Sequence, residues 1–125
     1  MVTSYRDLEV WQLSMAWVVR IYRLADTLPD DERFGLQSQL RRAAVSVPAN
    51  IAEGAGRDHT GDYLRHVSIA MGSLAEVETL IQIAIDLEYA PATRCDDLLE
   101  TSQQIGRMLR GLQKSLKPRR SDTSP

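Results

Sequence analysis

Apolar residues recur every three to four positions in four stretches of this chain, and the connections between the stretches are short and marked by Pro29, by Gly54, Gly56 and Gly61, and by Pro91. Such a pattern specifies helices that each bury a stripe. Sustained two-residue alternation and Asn-Gly hairpin turns, the signals of strands, are missing. Short links between long helices make sequential neighbours antiparallel. The expected fold is therefore all-α, an up-down-up-down four-helix bundle over residues 1–117, with 118–125 as a disordered tail.

The first helix is expected from about Asp7 to Leu28, where Pro29 stops it. It carries two apolar stripes. Leu8, Trp11, Met15, Val18, Tyr22 and Ala25 form one, and Val10, Trp17, Ile21, Leu24 and Leu28 form another about 110° around the axis. The second helix runs from about Asp31 to Gly56 on Leu36, Leu40, Ala43, Ala44, Val47 and Ile51. Pro48 falls inside it, lacks the N–H that would bond the Ala44 carbonyl, and predicts a kink. Thr60 is placed to cap the third helix, whose Tyr63, Val67, Ala70, Leu74, Val77, Ile81 and Ala84 repeat at heptad spacing to about Glu88. Ile69, Leu80, Ile83 and Leu87 make a second stripe to one side. Thr93 is placed to cap the fourth helix, which turns Leu98, Ile105, Leu109, Leu112 and Leu116 inward and is expected to end at Pro118. Helices one and three thus carry more apolar circumference than a solitary bundle hides, which predicts self-association.

The 125 residues suit one domain that buries about two-thirds of its unfolded surface. A single cysteine, Cys95, excludes an intrachain disulfide and fits a reducing cytoplasm. No uninterrupted apolar run approaches the roughly 18 residues of a membrane span, and Met1 to Asp7 lack the basic-then-apolar order of a signal peptide. A cytoplasmic protein with no membrane partner is expected. Fifteen Lys and Arg against seventeen Asp and Glu give a net charge of −2. The distribution is uneven: one Arg and five acids over residues 59–93 give −4, while seven bases and four acids over 94–125 give +3.

Glu-x-x-His pairs, the usual metal signature of a bundle, do not occur. His59 and His66 are the two histidines, and Asp62 with His66 reads as a surface i, i+4 contact. Cys95 lies near the start of a helix, where the dipole can lower a thiol pKa, but with no neighbouring histidine it reads as inert. Neither a nucleophile–base grouping nor a phosphate-binding glycine loop is present. No catalytic residue, no cofactor and no small-molecule substrate is expected.

Two polar stripes stand out. Gln39, Arg42, Ser46, Asn50, Glu53 and Arg57 follow spacings of three, four, four, three and four, so they share one face of helix two. One reading is a solvated face with a Glu53–Arg57 pair. The other is a hydrogen-bonded seam between helices or subunits, in which Glu76, lying beside the apolar stripe of helix three, takes Arg42 as its cationic partner. The second stripe is basic: Arg107, Arg110, Lys114 and Lys117, continuing into Arg119 and Arg120. Cations near a helix C-terminus complement its dipole, and a cluster of them is also the footprint of phosphate binding.

Tyr5-Arg6-Asp7-Leu8-Glu9-Val10-Trp11-Gln12, Phe34-Gly35-Leu36, the run Gln39 to Pro48, Asn50-Ile51-Ala52-Glu53-Gly54, Ile69 to Glu78 and Leu87-Glu88-Tyr89 together resemble one family. It is the family of four-helix-bundle proteins named after the open reading frame in intervening sequences of some bacterial 23S ribosomal RNA genes. The resemblance implies an up-down bundle that assembles as a closed ring, typically a homopentamer, with no established enzymatic activity. The family is similar in fold to the accessory variability determinant of diversity-generating retroelements, a basic pentamer that binds a reverse transcriptase and nucleic acid; the present chain departs from it in being net acidic. The expectation is a ring-forming scaffold. Its alternative is an accessory protein that meets RNA, DNA or a nucleic-acid-processing protein through the basic stripe of helix four.

Overall fold

A computed structural model describes residues 4–121, with side chains described through Lys117. Four helices carry it: α1 (Glu9–Asp26), α2 (Leu36–Ala55), α3 (Thr60–Asp86) and α4 (Ala92–Ser121). Three-residue 3-10 turns precede α1 and α2, at Tyr5–Asp7 and Asp30–Glu32.

Each helix packs on the next and α4 returns to α1, while among the described residues the backbones of the diagonal pairs stay farther apart. The contacts set the directions. Arg41 of α2 reaches Asp26 at the end of α1, Asn50 meets His66 while Ser46 meets Ser73, and Trp17, midway along α1, bonds Leu98 in the first third of α4. Ser46 and Asn50 meet Ser73 and His66 in reverse order, so α2 and α3 run antiparallel along their crossing.

The core selects between the two stripes of α1. Val10, Trp17, Ile21, Leu24 and Leu28 are buried, whereas Leu8, Trp11 and Val18 are half-covered and Met15, Val19 and Tyr22 are exposed. Trp17 is fully buried and its indole N–H donates to the Leu98 carbonyl at 3.1 Å, so a large apolar ring enters the core without an orphaned donor. On α3 the heptad residues Val67, Ala70, Leu74, Val77, Ile81 and Ala84 are buried against α2 and α4. At 27 residues, α3 also has the length and mean hydropathy of a membrane span, but Glu76 and Glu78 lie near its middle and one side of it belongs to the bundle core.

Several boundaries differ from the sequence expectation. Residues 31–35 are not part of α2: Gly35, at φ −110° and ψ −107°, interrupts the chain, and the Glu32 carboxylate accepts the Leu36 N–H at 3.0 Å as an N-terminal cap. Neither Thr60 nor Thr93 is a cap, since α3 and α4 already include them. Pro48 sits within α2, which is helical on both sides of it. Helix α4 continues past Pro118 to Ser121, although the proline brings no N–H for the Lys114 carbonyl and crowds it. The rest of the expected tail, 122–125, lies outside the described residues. Helix α3 ends in a Schellman motif, with Tyr89 N–H on the Ala84 carbonyl and Glu88 N–H on that of Ile85, both at 2.9 Å. The left-handed residue that this motif requires is Glu88, at φ 63°.

Candidate interaction site: the outer flanks of helices two and three

Gly54 sets the spacing of α2 and α3. A Cβ on it would lie 2.8 Å from the Cβ of His66 and 3.1 Å from Cδ1 of Tyr63, so the two backbones approach as only glycine allows. A polar chain runs along the crossing. Ser73 donates to the Ser46 hydroxyl at 2.8 Å, and the Asn50 amide nitrogen donates to the Ser46 carbonyl at 2.9 Å and its hydroxyl at 3.0 Å. A carbonyl only accepts, so the Asn50 amide orientation is fixed and its Oδ1 faces His66 Nδ1 at 2.9 Å. His66 therefore carries its proton on Nδ1, leaving Nε2 to accept from Arg65 at 3.3 Å.

The six-residue polar stripe of α2 thus divides. Ser46 and Asn50 belong to the α2–α3 crossing within one chain, while Gln39, Arg42, Glu53 and Arg57 are exposed. Glu53 and Arg57 pair at 3.1 Å across one helical turn. The expected Arg42–Glu76 pair is not formed within the chain: both side chains are solvated, where an exposed pair gains about 0–1 kcal/mol at most. His66 is not a surface partner of Asp62. It is 4 % exposed and bonded across to Asn50, because Gly54 lets α3 come close enough to cover it. A glycine inside an otherwise helical pattern was the available signal for that close approach.

The basic stripe is placed as its spacing implies. Arg107, Arg110, Lys114 and Lys117 are all exposed, and none is ion-paired among the described residues. The side chains of Arg119 and Arg120 lie outside the described residues. Arg107 and Arg110 border a groove of about 390 Å³ between α3 and α4, floored by Met71, Leu74 and Gly106, on whose wall Ser102 donates to Glu78. Cys95 is fully buried, and burial first, with Asp96 adding and Arg94 opposing, pushes its thiol above the usual range. A buried thiol with a raised pKa is a poor nucleophile, in line with the inert reading.

Apolar surface remains on two flanks that sequence periodicity marked without locating. One lies along α1 and α2, where Trp11, Met15, Val45, Pro48 and Ala49 line a groove of about 210 Å³ and Val19 and Tyr22 extend the exposed apolar side of α1. The other is on α3, where Ile69, Glu76 and Ile83 follow one another at heptad spacing and Leu87 ends the row. Ser73 and Leu80 complete that stripe and face inward, which puts it on the α2 side of α3.

A family model described as 23S rRNA-intervening sequence protein matches residues 6–111. The chain is similar to a solved structure, that of a protein with unknown function from the S23 ribosomal protein family of Bacteroides thetaiotaomicron. The two are 25 % identical with a TM-score of 0.78, covering 84 % of this chain and 98 % of the other. Among curated proteins none matches.

Proposed function

The chain belongs to the 23S rRNA-intervening sequence protein family, and we propose that it works as a non-catalytic building block. Copies of it close into a ring in the cytoplasm, and the ring offers one surface several times over to a macromolecular partner. The observation that carries this reading is the pair of exposed apolar flanks, Met15, Val19, Tyr22 and Val45 on one side and Ile69, Ile83 and Leu87 on another. Monomers seldom leave such patches in water. Two different patches favour a head-to-tail contact, which generates a ring when the rotation closes. The flanks lie on either side of α2, and adjacent faces of a four-helix bundle point roughly 90° apart, the divergence that closes a ring at about four or five copies. Five agrees with the family resemblance. Repetition then turns a weak contact into an avid one for a partner that spans several copies. Sedimentation velocity and light scattering test the reading. A sharp pentamer is expected, and a chain that stays monomeric at micromolar concentration refutes it.

A second reading is favoured by Arg107, Arg110, Lys114 and Lys117 of α4, exposed and without an ion pair among the described residues. Here the ring binds RNA or DNA through Arg107, Arg110, Lys114 and Lys117. Such binding weakens steeply with salt, each lost phosphate contact lowering the log–log slope by about one. No retention of structured RNA at low salt ends this reading and leaves the first standing.

A further inference from the structure

The bundle end where α1 passes to α2 and α3 passes to α4 holds an anomaly. Phe34 is 89 % exposed, yet its loop is tied down. The Glu32 carboxylate accepts the Leu36 N–H at 3.0 Å through one oxygen and the Tyr89 hydroxyl at 3.3 Å through the other. A Cβ at Gly35 would fall 2.7 Å from that first oxygen, so a side chain next to Phe34 would push the carboxylate out of this position. Arg33 lies against the aromatic ring, its guanidinium carbon 5.4 Å from the centroid, and has no ion-pair partner among the described residues. The loop thus fixes a large apolar ring in water, with a cation beside it.

The same end carries a complementary feature. Leu87 is 52 % exposed and closes the outer α3 row, one turn beyond Ile83. The carboxylates of Asp86 and Glu88 flank it, both exposed. Glu88 occupies the left-handed position of the Schellman turn, where glycine is favoured. Strain kept at such a position points to a use for the side chain. The Tyr89–Glu32 bond shows that the two loops share one end of the bundle.

From these features we infer that Phe34 of one copy packs on Leu87 and Ile83 of the next, with Arg33 set against the carboxylates of Asp86 and Glu88. The inference rests on the ring reading above and names the contact that fixes its register. In a ring whose axis runs along the helices, rotation brings like ends together, so features at one height in one copy meet features at that height in the next. The apolar surfaces and the charges are complementary there: aromatic ring on Leu87, guanidinium on carboxylates.

The test uses the full chain. F34C and L87C subunits are mixed, refolded together and oxidised, with each variant alone as control, while F34A, R33E and R33E/E88R are followed by sedimentation velocity. The expected results are a mixed cross-linked dimer on a non-reducing gel, assembly weakened at least about tenfold by F34A, and recovery in R33E/E88R of the assembly lost in R33E. E88G adds a reading that a purely structural role would not give: easier backbone geometry makes the subunit harder to unfold, while its assembly weakens. If the wild type assembles but the mixed cross-link does not form, the inference is overturned and the ring reading stands. A wild type that remains monomeric overturns both.

Discussion

Replacing Gly54 with alanine tests the central packing claim, because two effects of known size oppose each other there. In a solvated helix the change stabilises by about 1 kcal/mol, through lower entropy of the unfolded chain and better propensity. At Gly54 the added carbon would lie 2.8 Å from the His66 Cβ, and ordinary contact begins at 3.4 Å, so α2 and α3 must part by about 0.6 Å. His66 Cβ is close to its backbone and cannot swing away as the end of a long side chain would. Overpacking of this kind costs about 1–3 kcal/mol. The separation also stretches the 2.9 Å His66–Asn50 bond. Gly111, in α4, has no atom within 4 Å of the place a Cβ would take and serves as the reference. G111A is expected to gain close to the full propensity term and G54A to lose it. The gap between them is the overpacking cost, about 2 kcal/mol at mid-range, or roughly 8 °C in melting temperature for a chain of this length. Urea and thermal unfolding at one fixed protein concentration measure it, since assembly makes apparent stability depend on concentration. Equal melting temperatures for the two variants would refute the close crossing.

Asn50→Leu strands the His66 Nδ1 proton in a buried site, and unfolding should show a loss of about 1–3 kcal/mol. Nitrogen-detected NMR of the His66 ring should find the proton on Nδ1 in the neutral form; a proton on Nε2 would contradict the Asn50 assignment. Cys95 should resist thiol reagents until the protein unfolds, because its thiol is buried and its pKa raised; alkylation at the rate of a small free thiol in native buffer would place it at the surface. Glu88→Gly should raise stability by about 1 kcal/mol in urea by relieving the left-handed residue.

What the sequence reveals about the fold is what periodicity encodes. Four helices, their order and the buried heptad face of α3 can be read from spacing alone, since Val67 to Ala84 leave one consistent inward side. Spacing does not say which of two apolar stripes on α1 goes inside. That choice comes from Trp17, whose indole N–H finds the Leu98 carbonyl 81 residues away, a partner no local pattern discloses. The start of α2 is misleading in sequence because Asp30 to Glu32 suit a first helical turn, whereas Gly35 breaks the chain and Glu32 caps from outside. The polar stripe of α2 is visible as a stripe. Its division into inner Ser46 and Asn50 and outer Gln39, Arg42, Glu53 and Arg57 depends on how near α3 comes, which Gly54 decides. The burial of His66 escapes a sequence reading for the same reason. The exposure of Phe34 is not marked by periodicity, because Phe34 lies in a loop outside every helical stripe.

The two indoles report on different parts of the molecule. Trp17 is sealed in the interior and bonded to Leu98, so its emission follows global unfolding. Trp11 lines the outer groove beside Met15 and Val45, against the edge of the Tyr5 ring, where a change in solvent access alters its colour without any loss of helix. A W11F variant isolates the first signal and a W17F variant the second. The protein can therefore be watched by fluorescence, one tryptophan reading whether it is folded and the other whether its flank is dry, with no dye attached.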